Sequence, residues 1–219
     1  MERKALVIGA TGLVGKQLVK QLLEAKEYSE VHVFVRRPID QQHEKQTVHI
    51  VNFDQISKSE FPHVDDIFIC IGTTIKQAKS KKAFRKVDFD YPVSIATYAK
   101  EKGASRLLVI SAIGANAESN VFYSRIKGEM EEAIKKIGYP HVDIFRPSLL
   151  LGDRPEFRLG EKMGEYGMIL FRPFLLGPLS KYRAIKDKTV ARAMYQRAIS
   201  EDRKSVTVIE SVHIQKLGQ

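Results

Sequence analysis

Residues 4–8, Lys-Ala-Leu-Val-Ile, run directly into Gly9-Ala10-Thr11-Gly12-Leu13-Val14-Gly15, and the loop runs into residues 13–23, where Leu18, Val19, Leu22 and Leu23 recur at helical spacing. A short buried strand, a tight turn and a helix N-terminus therefore follow one another without a spare residue. Gly9 makes the turn, Gly12 lets the backbone approach a pyrophosphate, and Gly15 lets the helix pack on the strand. Thr11, Leu13 and Val14 complete the loop, and the first N–H groups of the helix face the phosphates with the dipole behind them. In this strand-to-helix setting the three glycines point to a dinucleotide.

The end of the next apolar run, Val31-His32-Val33-Phe34-Val35, chooses between dinucleotides. A site for NAD(H) places an acidic residue there to bind the ribose 2′-hydroxyl, but this chain has Arg36-Arg37. Two guanidiniums clamp a 2′-phosphate with charge-assisted bonds, so NADP(H) is expected in preference to NAD(H).

At 219 residues the chain is one domain, or one domain with an appendage. The single Cys70 ends the apolar run Asp66-Ile67-Phe68-Ile69-Cys70-Ile71, which excludes an internal disulfide and suggests a buried thiol in a reducing cytoplasm. The apolar run near the start is too short for a signal core or a membrane span. The formal net charge of +10 gathers around residues 76–86 and 181–188. No nucleic-acid module accompanies these basic patches, so their simpler use is to draw in an anionic dinucleotide. The six histidines lack ligand spacing and only one cysteine is present, so no metal is expected. Either a monomer or a homodimer is compatible with this sequence.

Strand-like and helical segments alternate: strands at 48–51, 67–71, 106–110 and 142–145, helices at 92–102 and 121–137, each helix followed by a glycine. This is the pattern of an α/β protein with a doubly wound parallel sheet, helices on both faces. Residues 1–152 form the nucleotide-binding core. From residue 153 to 186 prolines and glycines break the chain into short apolar pieces, which read as a small lid; a helix at 189–199 and a strand at 206–209 follow. Residues 153–219 are thus expected to form a small substrate-binding region on the same domain, with the substrate, a small molecule, against the strand ends.

Tyr123 and Lys127 lie four residues apart in Tyr-Ser-Arg-Ile-Lys, downstream of Ser111. On a helix that spacing puts both on one face, where an ammonium favours the phenolate and equips a tyrosine to move a proton. Singly each residue would pass for a surface tyrosine, a solvated lysine and a turn serine; the joint spacing argues for a site.

Together the glycine loop, Val87-Asp88-Phe89-Asp90-Tyr91, Tyr-Ser-Arg-Ile-Lys-Gly-Glu-Met-Glu from Tyr123, and Phe-Arg-Pro-Ser-Leu-Leu-Leu-Gly ending at Gly152 resemble the extended and atypical short-chain dehydrogenase/reductases over essentially the whole chain. The likeness is greatest to the small Tat-interacting-protein-like branch. It implies a Rossmann fold and a role for each matching residue. Ser111 would hydrogen-bond a substrate carbonyl, Tyr123 would pass the proton, and Lys127 would bias Tyr123 and hold the nicotinamide ribose. Asp54 would bind the adenine amino group, Gly72 and Thr73 would flank the adenosine ribose and phosphates, and Pro147 and Ser148 would lie beside the nicotinamide. Asp88 occupies a position where many extended members carry Asn, so a proton relay through that Asn is not carried over.

Three functions follow: an NADPH-dependent oxidoreductase acting on a small carbonyl or alcohol, a non-catalytic NADP(H)-binding regulator, and a nucleotide-sugar epimerase or dehydratase. The short C-terminal region disfavours the third.

Overall fold

Unbroken apolar strands are the signature of a sheet covered on both faces, and the computed structural model builds one. It describes residues 2–40, 42–152, 183–201 and 204–219. Strand β1 (Arg3–Ile8) passes through the glycine loop into α1 (Leu13–Glu24), then β2 (Tyr28–Val35) and β3 (Gln46–Ile50) follow. After β4 (Asp66–Ile69) come two short helices, α2 (Ile75–Ala78) and α3 (Lys81–Arg85), and a π-helical turn (Lys86–Asp90) that feeds α4 (Tyr91–Glu101). Next are β5 (Arg106–Ile110), α5 (Phe122–Ile137), β6 (His141–Arg146) and β7 (Leu150–Leu151). The described chain resumes before β8 (Ile185–Lys186), α6 (Asp187–Ile199), β9 (Val206–Glu210) and α7 (Ser211–Leu217).

Seven strands pair in the order β3-β2-β1-β4-β5-β6-β9, every neighbouring pair parallel. This is the Rossmann order, extended by one strand. One face packs Val7, Val33, Leu108 and Phe145 against Leu18 and Leu22 of α1 and Met194 of α6; the other packs Leu6, Ile8, Ile67 and Ile144 against Ile95 of α4 and Ile134 of α5. The winding direction reverses between β1 and β4, and their carboxyl ends open the crevice in which such sheets bind ligands.

Buried charges fasten the opposite end of the sheet, where its central strands begin. The Tyr28 hydroxyl donates to Asp66 at 2.6 Å, Arg3 pairs with the same carboxylate, and Arg106 donates to the carbonyls that end α6. Burial raises the Asp66 carboxyl to about 6, against the pull of Arg3. These contacts are structural and lie away from the crevice.

Two expected strands shift. The third begins earlier, at Gln46, and the fourth ends at Ile69 instead of Ile71. Cys70 still donates its N–H to the Ile8 carbonyl at 2.8 Å, and its own carbonyl group lies against the glycine loop, where a side chain on Gly9 would come within 2.8 Å of it. Most of the expected lid, residues 153–182, lies outside the described residues; residues 183–219 supply α6, which packs on α1, and β9, which extends the main sheet.

Candidate dinucleotide and proton-transfer site

The glycine loop divides its glycines by what surrounds them. Gly9 adopts φ +85°, a left-handed conformation that L side chains resist. A Cβ at Gly15 would sit 2.1 Å from the Gly9 carbonyl oxygen, so β1 and α1 meet only if this residue is glycine. Gly12 differs: its Cβ would meet the Gly9 oxygen alone, at 3.2 Å, and the outer side is open. Gly12 caps α1 with no side-chain bond and no acidic residue in the first turn, while Thr11 is exposed, Leu13 half-buried and Val14 buried. An open, uncapped helix N-terminus free of carboxylates fits a pyrophosphate.

Arg36 and Arg37 follow directly on Val35 of β2, both exposed. Asp54 is exposed and pre-positioned: Lys86 lies 2.8 Å away and the Tyr91 hydroxyl donates to the same oxygen, Oδ1. The Lys86 ammonium holds the Asp54 carboxyl below its ordinary range.

At the end of β4 the chain passes over a buried ion pair. Lys127 Nζ lies 2.7 Å from Asp88 Oδ1, with side-chain exposures of 4% and 1%. The other Asp88 oxygen accepts the Thr73 N–H at 2.9 Å. A Cβ on Gly72 would come 3.3 Å from Asp88 Oδ1 and 3.7 Å from Lys127 Nζ, so the Gly72-Thr73 backbone lies directly on the pair. Burial works to depress the Lys127 ammonium, but the Asp88 carboxylate beside it outweighs that effect and holds it above its ordinary value. Tyr123, one turn earlier on α5, packs its ring on Phe84 with centroids 5.6 Å apart. Among the described residues no protein group hydrogen-bonds its hydroxyl. Gly128 lets the loop after β5 press against α5, since a Cβ there would overlap the Ala117 nitrogen at 2.1 Å.

The hydroxyls of two expected residues are engaged by protein groups. Ser111 is buried, and its hydroxyl donates to Glu131 Oε1 at 2.5 Å. Arg146 grips that carboxylate with both arms, at 3.0 and 2.6 Å, and reaches Glu210 at 3.1 Å. The proton that would have served a substrate carbonyl is thus committed to the α5 interface. Ser148 likewise accepts from the Ser211 hydroxyl at 3.0 Å and donates to the Arg183 carbonyl, tying β6 to the C-terminal helix. The Pro147 carbonyl accepts the Ile113 N–H at 3.0 Å, linking the ends of β5 and β6.

Residues 9–156 match the NAD(P)H-binding family. The chain belongs to that family, as an atypical short-chain dehydrogenase/reductase. Over 217 residues it is 31% identical to Protein FMP52, mitochondrial, of Eremothecium gossypii, covering 97% of this chain and 96% of that protein. To Protein HTATIP2 of Rattus norvegicus it is 29% identical over 225 residues, covering 100% of this chain and 91% of that protein. Among solved structures, MoeE5 in complex with UDP-glucuronic acid and NAD superposes with a TM-score of 0.71 at 16% identity, over 94% of this chain and 76% of that one. UDP-glucose 4-epimerase of Thermotoga maritima gives 0.70 at 14% identity, over the same shares. At such identities the likeness is one of fold.

The relatives overturn the expectation of a cytoplasmic protein: FMP52 of E. gossypii, Debaryomyces hansenii and Saccharomyces cerevisiae is named mitochondrial. A lone thiol excludes an internal disulfide but does not name a compartment. Burial in fact pushes the Cys70 thiol up to about 12, making it a poor nucleophile. Among the described residues no helix is long and apolar enough to cross a membrane, and no three His, Cys, Asp or Glu side chains cluster as metal ligands.

Glu131 escaped the sequence reading, although it lies four residues beyond Lys127 and so shares the face of α5 that carries Tyr123. The signal was present in the periodicity. Asp88 was visible as a departure, but its partnership with Lys127 crosses from the π-helical turn to α5 and no local pattern announces it.

Proposed function

We propose that this chain is an NADPH-dependent reductase of small carbonyl compounds, with Tyr123 as its proton donor. The observation that carries the reading is Tyr123 one turn from a buried, ion-paired Lys127 that lies under the Gly72-Thr73 backbone, at the carboxyl end of the sheet. Gly9, Gly12 and Gly15 with the N-terminus of α1 would hold the pyrophosphate, Arg36 and Arg37 the 2′-phosphate, and Asp54 the adenine. The bound dinucleotide supplies a hydride to the carbonyl carbon. Tyr123, its hydroxyl hydrogen-bonded by no protein group among the described residues, delivers the proton to the carbonyl oxygen, and Lys127 holds the charge that develops on the phenol. With the Ser111 proton committed to Glu131, Tyr123 is the principal donor to that oxygen; Ser111 supports the helix that carries it. By inference from the FMP52 relatives, the protein works in mitochondria.

The test combines calorimetric titration of NADPH and NADH with loss of NADPH absorbance against small aldehydes, ketones and quinones. NADPH should bind more tightly by about tenfold to a hundredfold, the worth of charge-assisted contacts to one phosphate, and at least one carbonyl class should turn over. Equal affinity removes the argument from Arg36 and Arg37. Tight binding with no turnover of any class favours the second reading, a cofactor-binding regulator, which the commitment of Ser111 to Glu131 supports.

A further inference from the structure

Both ends of the segment between β4 and the π-helical turn touch the proton-transfer pair. At its start the Gly72-Thr73 backbone lies on Lys127, and at its end Phe84 packs on the Tyr123 ring, centroids 5.6 Å apart. Between those contacts the chain arches through α2 and α3. Each helix is held at its N-terminus by a side chain, Thr74 accepting from the Gln77 N–H and Ser80 from the Ala83 N–H. The arch carries Lys76, Lys79, Lys81 and Lys82, all exposed, and no Asp or Glu from residue 74 to 84. We propose that it receives an anionic group, so that the carbonyl substrate of this chain bears a carboxylate or a phosphate. The inference rests on the reductase reading and names the substrate class for it.

The next cations along the chain are already paired. Arg85 lies 2.5 Å from Glu129 and Lys86 2.8 Å from Asp54, whereas the four lysines of the arch have no carboxylate partner among the described residues. Lys81 is the one fixed against the site. Its ammonium stands 5.4 Å from the centroid of the Phe122 ring, which precedes Tyr123 in sequence and shares with it the contact to Phe84. The Arg125 guanidinium stands 5.8 Å from the same centroid, and its one carboxylate neighbour among the described residues, Glu129, is 3.9 Å away. Cations gathered on one rim repel one another, and an anion bound among them relieves that repulsion. The dinucleotide does not account for the arch. The pyrophosphate and the 2′-phosphate are assigned to the ends of β1 and β2, while the arch leaves β4, which flanks β1 on the side away from β2. Uncompensated ammonium groups there raise the local concentration of an anionic substrate and speed its capture.

The test reads binding before turnover. Protein saturated with NADP⁺ is titrated calorimetrically with matched probes: 4-formylbenzoate and 4-formylphenyl phosphate against methyl 4-formylbenzoate, and levulinate against methyl levulinate. At least one anion should bind about tenfold more tightly than its neutral counterpart, the summed worth of several exposed charges. Comparing the carboxylate with the phosphate tells which group the arch receives. Raising the salt from about 0.1 M to about 1 M shortens the screening length from about 10 Å to about 3 Å and should remove most of the advantage. The advantage should shrink in Lys81→Gln and vanish in Lys76→Gln/Lys79→Gln/Lys81→Gln/Lys82→Gln. These exposed substitutions should leave NADP⁺ affinity within about twofold of wild type. Equal affinity for acid and ester, binding of no probe, or an advantage that survives in the fourfold variant overturns the proposal. A fourfold variant that loses NADP⁺ affinity overturns it too, by assigning the lysines to the cofactor. Anion binding with no turnover of any bound probe by NADPH refutes the reductase reading and upholds the receiving site; turnover of esters and acids alike does the reverse.

Discussion

Ser111 shows what a sequence can and cannot say about a single residue. Its place at the end of the fifth strand was legible, since Arg-Leu-Leu-Val-Ile is an unmistakable buried run, but the direction of its hydroxyl was not. That direction is set by Glu131 and Arg146, brought in by a helix and a strand that follow it. Tyr123 and Lys127 were legible because their relation is local, one helical turn, whereas the Asp88 counter-ion is a tertiary fact. The two assignments for Ser111 separate in Ser111→Ala. If the hydroxyl serves Glu131, the variant loses about 1–2 kcal/mol of stability, one hydrogen bond to a buried carboxylate that Arg146 still holds, and kcat falls less than about tenfold. A kcat loss of a hundredfold or more at unchanged stability would return Ser111 to the reacting oxygen.

At the scale of elements, the join of β1 to α1 was the most legible piece of the fold, because strand, turn and helix had to succeed one another within a few residues. The structure adds a distinction that the spacing alone does not give: Gly15 is required by the packing of α1 on β1, while Gly12 leaves its outer side open. Gly15→Ala puts a methyl 2.1 Å from a backbone oxygen, forcing α1 off the sheet, and should cost about 2 kcal/mol or more by overpacking. Gly12→Val leaves the helix seated, meeting only one oxygen at 3.2 Å, but fills the open side. Circular dichroism and calorimetry together should show Gly12→Val folded and unable to bind NADPH. Normal binding by that variant would reduce the loop to a turn.

At the scale of the whole molecule, alternation of strands and helices was enough to announce a parallel sheet, while the placement of β9 beyond β6 depended on pairings that no local pattern specifies. The sheet also carries a pH signature near its β3 edge. His32 Nδ1 and His49 Nε2 lie 3.0 Å apart across β2 and β3, and burial lowers both imidazoles below the ordinary 6.5. In the window between their folded values and 6.5 the unfolded chain binds more protons, so their contribution to stability is complete above 6.5 and is lost as pH falls through that window. Asp66, raised to about 6, has the opposite sign: its folded form takes up a proton first, so its contribution declines as pH rises from about 4 to 6. Thermal unfolding should therefore show Tm falling from pH 7 to 6, and a flatter profile in His32→Asn/His49→Asn; an identical slope in the double variant would assign the effect elsewhere. The proposed reductase activity stands on one hydroxyl. The direct measurement is kcat for Tyr123→Phe on a carbonyl substrate accepted by the wild type, with NADPH affinity determined on the same sample. A fall of about 10²-fold or more with affinity held within a few-fold is the predicted result, the usual worth of a positioned acid, and wild-type turnover by the Phe variant would contradict the account.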